Sequence, residues 1–166
     1  DSIYYSSPIN ATEEILVGDF WGEGKSSFIV KRDGSNQLDW SYYVYENDNF
    51  VLKQPNGYIA TWGDATYTAD FNGDGKTDIM VVDNYNTKIY SLKRDENQNL
   101  VLEQFYDNNF PTKWHRIFTG DFNGDGKADL LTWSESNTWE ITFFKETGFH
   151  SPSNQISNLP QSDPGQ

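Results

Sequence analysis

Apolar residues in this chain come in short runs or in alternation, and Gly, Asn and Asp interrupt them about every ten positions. Residues 77–82 hold Ile79, Met80, Val81 and Val82 in one run, the pattern of a strand buried on both faces. Residues 83–86 read as a turn, 88–93 alternate, 95–99 turn again, 100–106 form another strand pattern, and 114–118 close the unit. The preceding unit shows the same succession at 27–30, 40–45, 50–53 and 58–62. A third shows it at 128–133 and 138–144 before the pattern fades. Nowhere does a 3.6-residue period persist, so no helix is expected. The pattern predicts an all-β chain with about four strands per unit.

The units are true repeats. Gly18-Asp-Phe-Trp-Gly-Glu-Gly-Lys-Ser-Ser27, Ala69-Asp-Phe-Asn-Gly-Asp-Gly-Lys-Thr-Asp78 and Gly120-Asp-Phe-Asn-Gly-Asp-Gly-Lys-Ala-Asp129 align without a gap. Their leading aspartates, Asp19, Asp70 and Asp121, are each 51 residues apart. Four strands per unit at this period suit a β-propeller blade, which buries its faces by stacking on its neighbours. A β-solenoid is the alternative, but its repeats are usually shorter. We expect one repeat domain over 1–150, with blades near 11–61, 62–112 and 113–150, followed by a polar, Pro-containing tail at 151–166.

Composition narrows the chemistry. Of 166 residues, 12 are Lys or Arg and 25 are Asp or Glu, a net charge of −13. That balance argues against nucleic acid and anionic membrane surfaces, which call for basic patches. No apolar run approaches the roughly 18 residues of a membrane span. The absence of cysteine excludes disulfides, thiolate metal sites and Cys nucleophiles. The chain starts at Asp1 and shows no signal peptide, as expected of a processed chain or a piece of a longer one.

The loops give the charge a use. Asp70, Asn72, Asp74 and Asp78 stand at loop positions 1, 3, 5 and 9, and Lys76 at position 7 offers its backbone carbonyl. Asp121, Asn123, Asp125, Lys127 and Asp129 repeat the set. All are hard oxygen donors, and glycine at position 6 permits the sharp turn, which favours Ca²⁺ over softer metals. Position 12 is Val81 or Thr132 rather than the glutamate of an EF-hand. The first copy keeps Asp19 and Glu23 but has Trp21 at position 3 and Ser27 at position 9. It is expected to keep the turn without holding calcium well.

On these motifs the chain resembles the FG-GAP/VCBS repeat family, the calcium-loop blades of integrin α-chain propellers, some fungal lectins and large bacterial surface and toxin proteins. Asp-Phe-Asn-Gly-Asp-Gly-Lys-x-Asp occurs twice whole and once degraded, while the literal Phe-Gly and Gly-Ala-Pro strings are absent. The resemblance implies two calcium ions, one on each complete loop, and the weak calcium affinity usual in extracellular modules suits a secreted or surface location. Similar runs of blades occur in B components of bacterial toxin complexes and in Rhs-like proteins.

Three blades fall short of the four to eight of most propellers, so further blades, a partner or a second copy is expected to complete the ring. The chain is read as non-catalytic. His115 and His150 lie outside any triad signature, and Gly22-Glu-Gly-Lys-Ser26 lacks the first glycine of a P-loop. The main expectation is therefore a calcium-stabilised scaffold that binds protein. An alternative is a lectin using exposed Trp40, Tyr42, Trp62, Trp114 and Trp139, and a second is an accessory domain of a secreted polysaccharide-active enzyme.

Overall fold

The computed structural model describes residues 13–34, 37–59, 62–109, 114–135, 138–145 and 148–150. They form three four-stranded antiparallel sheets and no helix. The first sheet holds β1 (Glu14–Gly18), β2 (Ser27–Gly34), β3 (Gln37–Glu46) and β4 (Asn49–Tyr58) in sequence order. The second holds β5 (Ala65–Ala69), β6 (Asp78–Asp83), β7 (Asn86–Arg94) and β8 (Leu100–Asn109). The third holds β9 (Trp114–Gly120), β10 (Asp129–Ser134), β11 (Trp139–Lys145) and β12 (Gly148–His150). These are propeller-type blades, and the three do not close into a ring.

The glycine-rich loops join the first and second strands of each blade, so loop 1 is 19–27, loop 2 is 70–78 and loop 3 is 121–129. Sequence pattern misses two of the strands leading into them, β1 and β5. It also misses the short β12. Each of the three has five residues or fewer, too few to establish a period. Of the expected strand at 58–62, Ile59 and Trp62 lie outside any strand and residues 60–61 lie outside the described residues. Tyr58 instead ends a ten-residue β4, whose pairing with β3 shifts register twice and so runs past the turn residues at its centre.

Two apolar clusters hold the stack together, one at each junction. Leu16, Phe20, Ile29, Trp40 and Trp62 meet Ile79, Val81, Tyr90, Leu92 and Leu100 between the first and second blades. Phe71, Met80, Val82, Ile89 and Tyr106 meet Ala128, Leu130, Phe144 and Phe149 between the second and third. Strand β6 explains the apolar run. Ile79 and Val81 face one neighbour, Met80 and Val82 the other, as the two-residue alternation of a strand requires. Each such side chain contributes about 1.5–3 kcal/mol on burial. A buried lysine spans the first junction: Lys31 Nζ donates to Glu14 Oε2 at 3.0 Å and to Thr66 Oγ1 at 3.4 Å, 5.7 Å from the centre of the Trp62 ring.

Three aromatics expected at a ligand surface lie in the core instead. Trp40 and Trp62 are 0% and 1% exposed, and Tyr42 is equally buried, so they are core residues rather than stacking platforms. The Trp40 indole lies against the backbone of Gly57, its cross-strand partner, where any side chain would collide. Trp139 stacks on Trp133 at 6.2 Å and Phe118 at 6.1 Å. The side chain of Trp114, the tail 151–166 and the first blade boundary at 11 lie outside the described residues.

Candidate metal loops

All three loops take one backbone course, and the position-1 aspartate organises each. In loop 2, Asp70 Oδ1 accepts from the N–H of Gly73 (2.7 Å) and Asp74 (3.2 Å), and Oδ2 from Gly75 (2.7 Å). Asn72 Oδ1 accepts from Asp74 N–H at 2.8 Å, and Asp74 Oδ1 from Lys76 N–H at 3.0 Å. Gly73 and Gly75 have φ of 78° and 80°, the left-handed region where a Cβ is unfavourable. Loop 3 repeats the wiring: Asp121 accepts from Gly124, Asp125 and Gly126, Asn123 from Asp125, and Asp125 from Lys127.

Position 9 has a different role. Asp78 is fully buried, accepting from Phe71 N–H at 3.1 Å and from the Ser91 hydroxyl at 2.6 Å. Asp129, also fully buried, accepts from Phe122 N–H and Phe144 N–H, both at 3.0 Å. These carboxylates tie the loop to the sheet below it. Burial, with a smaller contribution from the charges of Asp74 and Asp70, pushes the Asp78 carboxyl up to about 6. Burial raises Asp129 as well. Asp121 is held below its ordinary value, chiefly by the N–H of Gly126.

Loop 1 folds the same turn from fewer donors. Asp19 Oδ1 accepts from Glu23 N–H at 3.0 Å and Oδ2 from Gly24 N–H at 2.7 Å. Against some loss of hydration, the N–H groups of Glu23, Gly24, Gly22 and Trp21 hold its carboxyl below the usual value. Ser27 replaces the buried aspartate. Its hydroxyl donates to Gly18 O at 3.2 Å and accepts from Tyr42 at 2.9 Å. Trp21 lies beneath the Arg94 guanidinium at 5.5 Å, where the metal pattern requires an oxygen.

In donor chemistry, loops 2 and 3 fit a hard divalent cation. Asp70, Asn72 and Asp74 share one exposed turn, and an oxygen that accepts one N–H keeps a second lone pair. Asp78 lies beneath that turn with both oxygens bonded. Among the described residues no three acidic or imidazole side chains form a metal cluster by themselves. His115 lies against Trp133 at 5.6 Å.

The next loop locks onto each loop. Asp19 O accepts from Thr77 N–H at 2.8 Å and Asp70 O from Ala128 N–H at 2.7 Å, both across 58 residues of sequence. These contacts between loops could not be read from the sequence, although the equal spacing of the motifs was their signal.

No curated protein matches this chain closely. The model of the FG-GAP-like repeat matches residues 70–132, from position 1 of loop 2 through loop 3 into β10. Loop 1 lies outside that match, in keeping with its altered positions 3 and 9. Over residues 70–132 the chain is thus similar to the FG-GAP-like repeat, and its blade architecture is in keeping with that likeness.

Proposed function

We propose that this chain is a non-catalytic binding module whose blades are stiffened by two calcium ions, one on loop 2 and one on loop 3. The carrying observation is the identical wiring of those loops, which gathers the oxygens of Asp70, Asn72 and Asp74, and of Asp121, Asn123 and Asp125, on small exposed turns. The carbonyls of Lys76 and Lys127, with Asp78 and Asp129 from below, complete the two sets. A bound ion supplies positive charge where like charges otherwise repel. Any ion held only by the folded chain also stabilises it by mass action. Affinities of about 10⁻⁴ to 10⁻³ M are usual for extracellular modules and suit a secreted or surface protein.

Binding to other protein surfaces is supported by the large apolar side chains exposed at the two ends of the stack, among them Val17, Phe50, Phe118 and Phe122. The burial of Trp40 and Trp62 removes the main support for sugar stacking. Thermal unfolding with and without millimolar calcium tests the stiffening. The reading expects a higher midpoint with calcium, and an unchanged midpoint would refute it.

A further inference from the structure

Both junctions between blades are made from one set of contacts, and the two ends of the stack carry its unmatched halves. At each junction a position-1 carbonyl accepts the position-8 N–H of the next loop: Asp19 from Thr77, Asp70 from Ala128. At the first junction Asp19 N–H also donates to Thr77 Oγ1 at 3.0 Å. The position-7 lysine lies over the preceding loop's position-4 glycine. A Cβ on Gly22 would come 3.2 Å from Lys76 Cγ, and one on Gly73 would come 3.1 Å from Lys127 Cγ. The position-2 phenylalanine is sealed in, with Phe20 1% and Phe71 0% exposed.

Among the described residues, loop 3 has the same parts with no following loop packed on it. Phe122 is 47% exposed, and a Cβ on Gly124 would meet nothing within 4 Å. The face around it is apolar, with Phe118 exposed and Trp133 and Trp139 stacked beside it. At the other end, loop 1 presents the complementary parts, Lys25 and Ser26 at positions 7 and 8, both exposed. Beside them lie Ile15, Val17, Phe50 and Leu52, and Phe28 stacked on Tyr43 at 4.9 Å. Phe28 and Tyr43 stand where Ile79 and Tyr90 stand at the first junction, each a cross-strand pair. Among the described residues, seven of the ten exposed large apolar side chains lie on these two end faces.

We propose that a second copy of this chain docks head to tail, its first blade on the third blade of the other. The Asp121 carbonyl accepts the Ser26 N–H of the second copy, and the Ser26 hydroxyl accepts the Asp121 N–H, as Thr77 does for Asp19. Lys25 covers Gly124, and Phe122 is buried. The contact joins unlike faces, so it closes only when repeated around a ring. Two copies give six blades, within the usual range of about four to eight, and three copies would exceed it. Each chain carries a charge of −13, so association strengthens with salt as long-range repulsion is screened. This partner rests on the reading of the chain as a binding module but not on calcium. A dimer that persists in chelator leaves it standing while the ion reading is judged separately.

Sedimentation of the full chain at micromolar concentration should give twice its 19.1 kDa. Phe122→Asp and Val17→Asp each change an exposed residue, so each chain should fold normally as judged by circular dichroism. Each should weaken self-association by about 100-fold or more, because a charge is buried unpaired. Mixed together, the two variants should recover a heterodimer through the one junction that is still intact. Tyr85→Asp, on an exposed residue in the β6–β7 turn of the middle blade, should leave the dimer unchanged. A monomeric wild type would overturn the proposal. So would a dimer that survives either end-face substitution, a mixture that stays monomeric, or equal loss with Tyr85→Asp.

Discussion

Loops 1 and 2 run the same backbone course with different chemistry beneath it. Both turn around a position-1 aspartate that accepts loop N–H groups, and both place glycines at positive φ. They differ at position 9, where Asp78 is a buried carboxyl holding two donors and Ser27 forms a hydroxyl pair with Tyr42. They differ again at position 3, an amide in loop 2 and an indole in loop 1. The comparison separates two properties that the repeat motif merges. The turn needs Asp, Gly and the neighbouring loop. The proposed ion would need the full oxygen set.

The largest effect is expected at the buried strut. Asp78→Ala leaves the Phe71 N–H and the Ser91 hydroxyl without their partner and should destabilise by about 3 kcal/mol or more. Ser27→Ala should cost only about 1 kcal/mol, since it removes neutral hydrogen bonds. Urea midpoints measure both, and equal losses would break the distinction between the loops.

Calcium comes next. At about ten times the dissociation constant each filled site adds about 1.4 kcal/mol. Chelation should therefore lower the melting temperature by several degrees, and Asp74→Ala should remove about half of that difference. Asp19→Ala should leave the calcium-dependent part unchanged.

A pH series on the calcium-free protein reads the same comparison electrostatically. Asp78 binds its proton more tightly in the folded chain, at about 6 against an ordinary 3.8. Its contribution is therefore fully present below about pH 4 and is lost as pH rises through about 6, a change of roughly 3 kcal/mol. Asp78→Asn should flatten that slope in urea titrations. Asp19 acts in the opposite sense. Its lowered value adds stability above the ordinary carboxylate range, lost as pH falls through the lowered value.

The smallest effect is expected at Trp21→Ala, which removes the contact with Arg94 and should cost under about 1 kcal/mol by denaturant unfolding.

Much of this was legible in the sequence, for identifiable reasons. The 51-residue spacing located every loop, and the apolar run in β6 announced a strand packed on both sides. The side on which an aromatic falls was not legible. Trp40 is buried because β3 turns it toward the second blade over Gly57, a fact of register. Nor was the direction of position 9. A repeated aspartate reads as a ligand, and only the sheet beneath shows that Asp78 and Asp129 also brace the backbone. The exposure of Phe122 was equally hidden, because its string is the same as that of buried Phe71.

Isothermal titration with calcium tests the central claim most directly. The account predicts two ions per chain for the wild type, one each for Asp74→Ala and Asp125→Ala, and two for Asp19→Ala. A wild type that takes up no calcium, or a stoichiometry that falls with Asp19→Ala and not with Asp74→Ala, would contradict it.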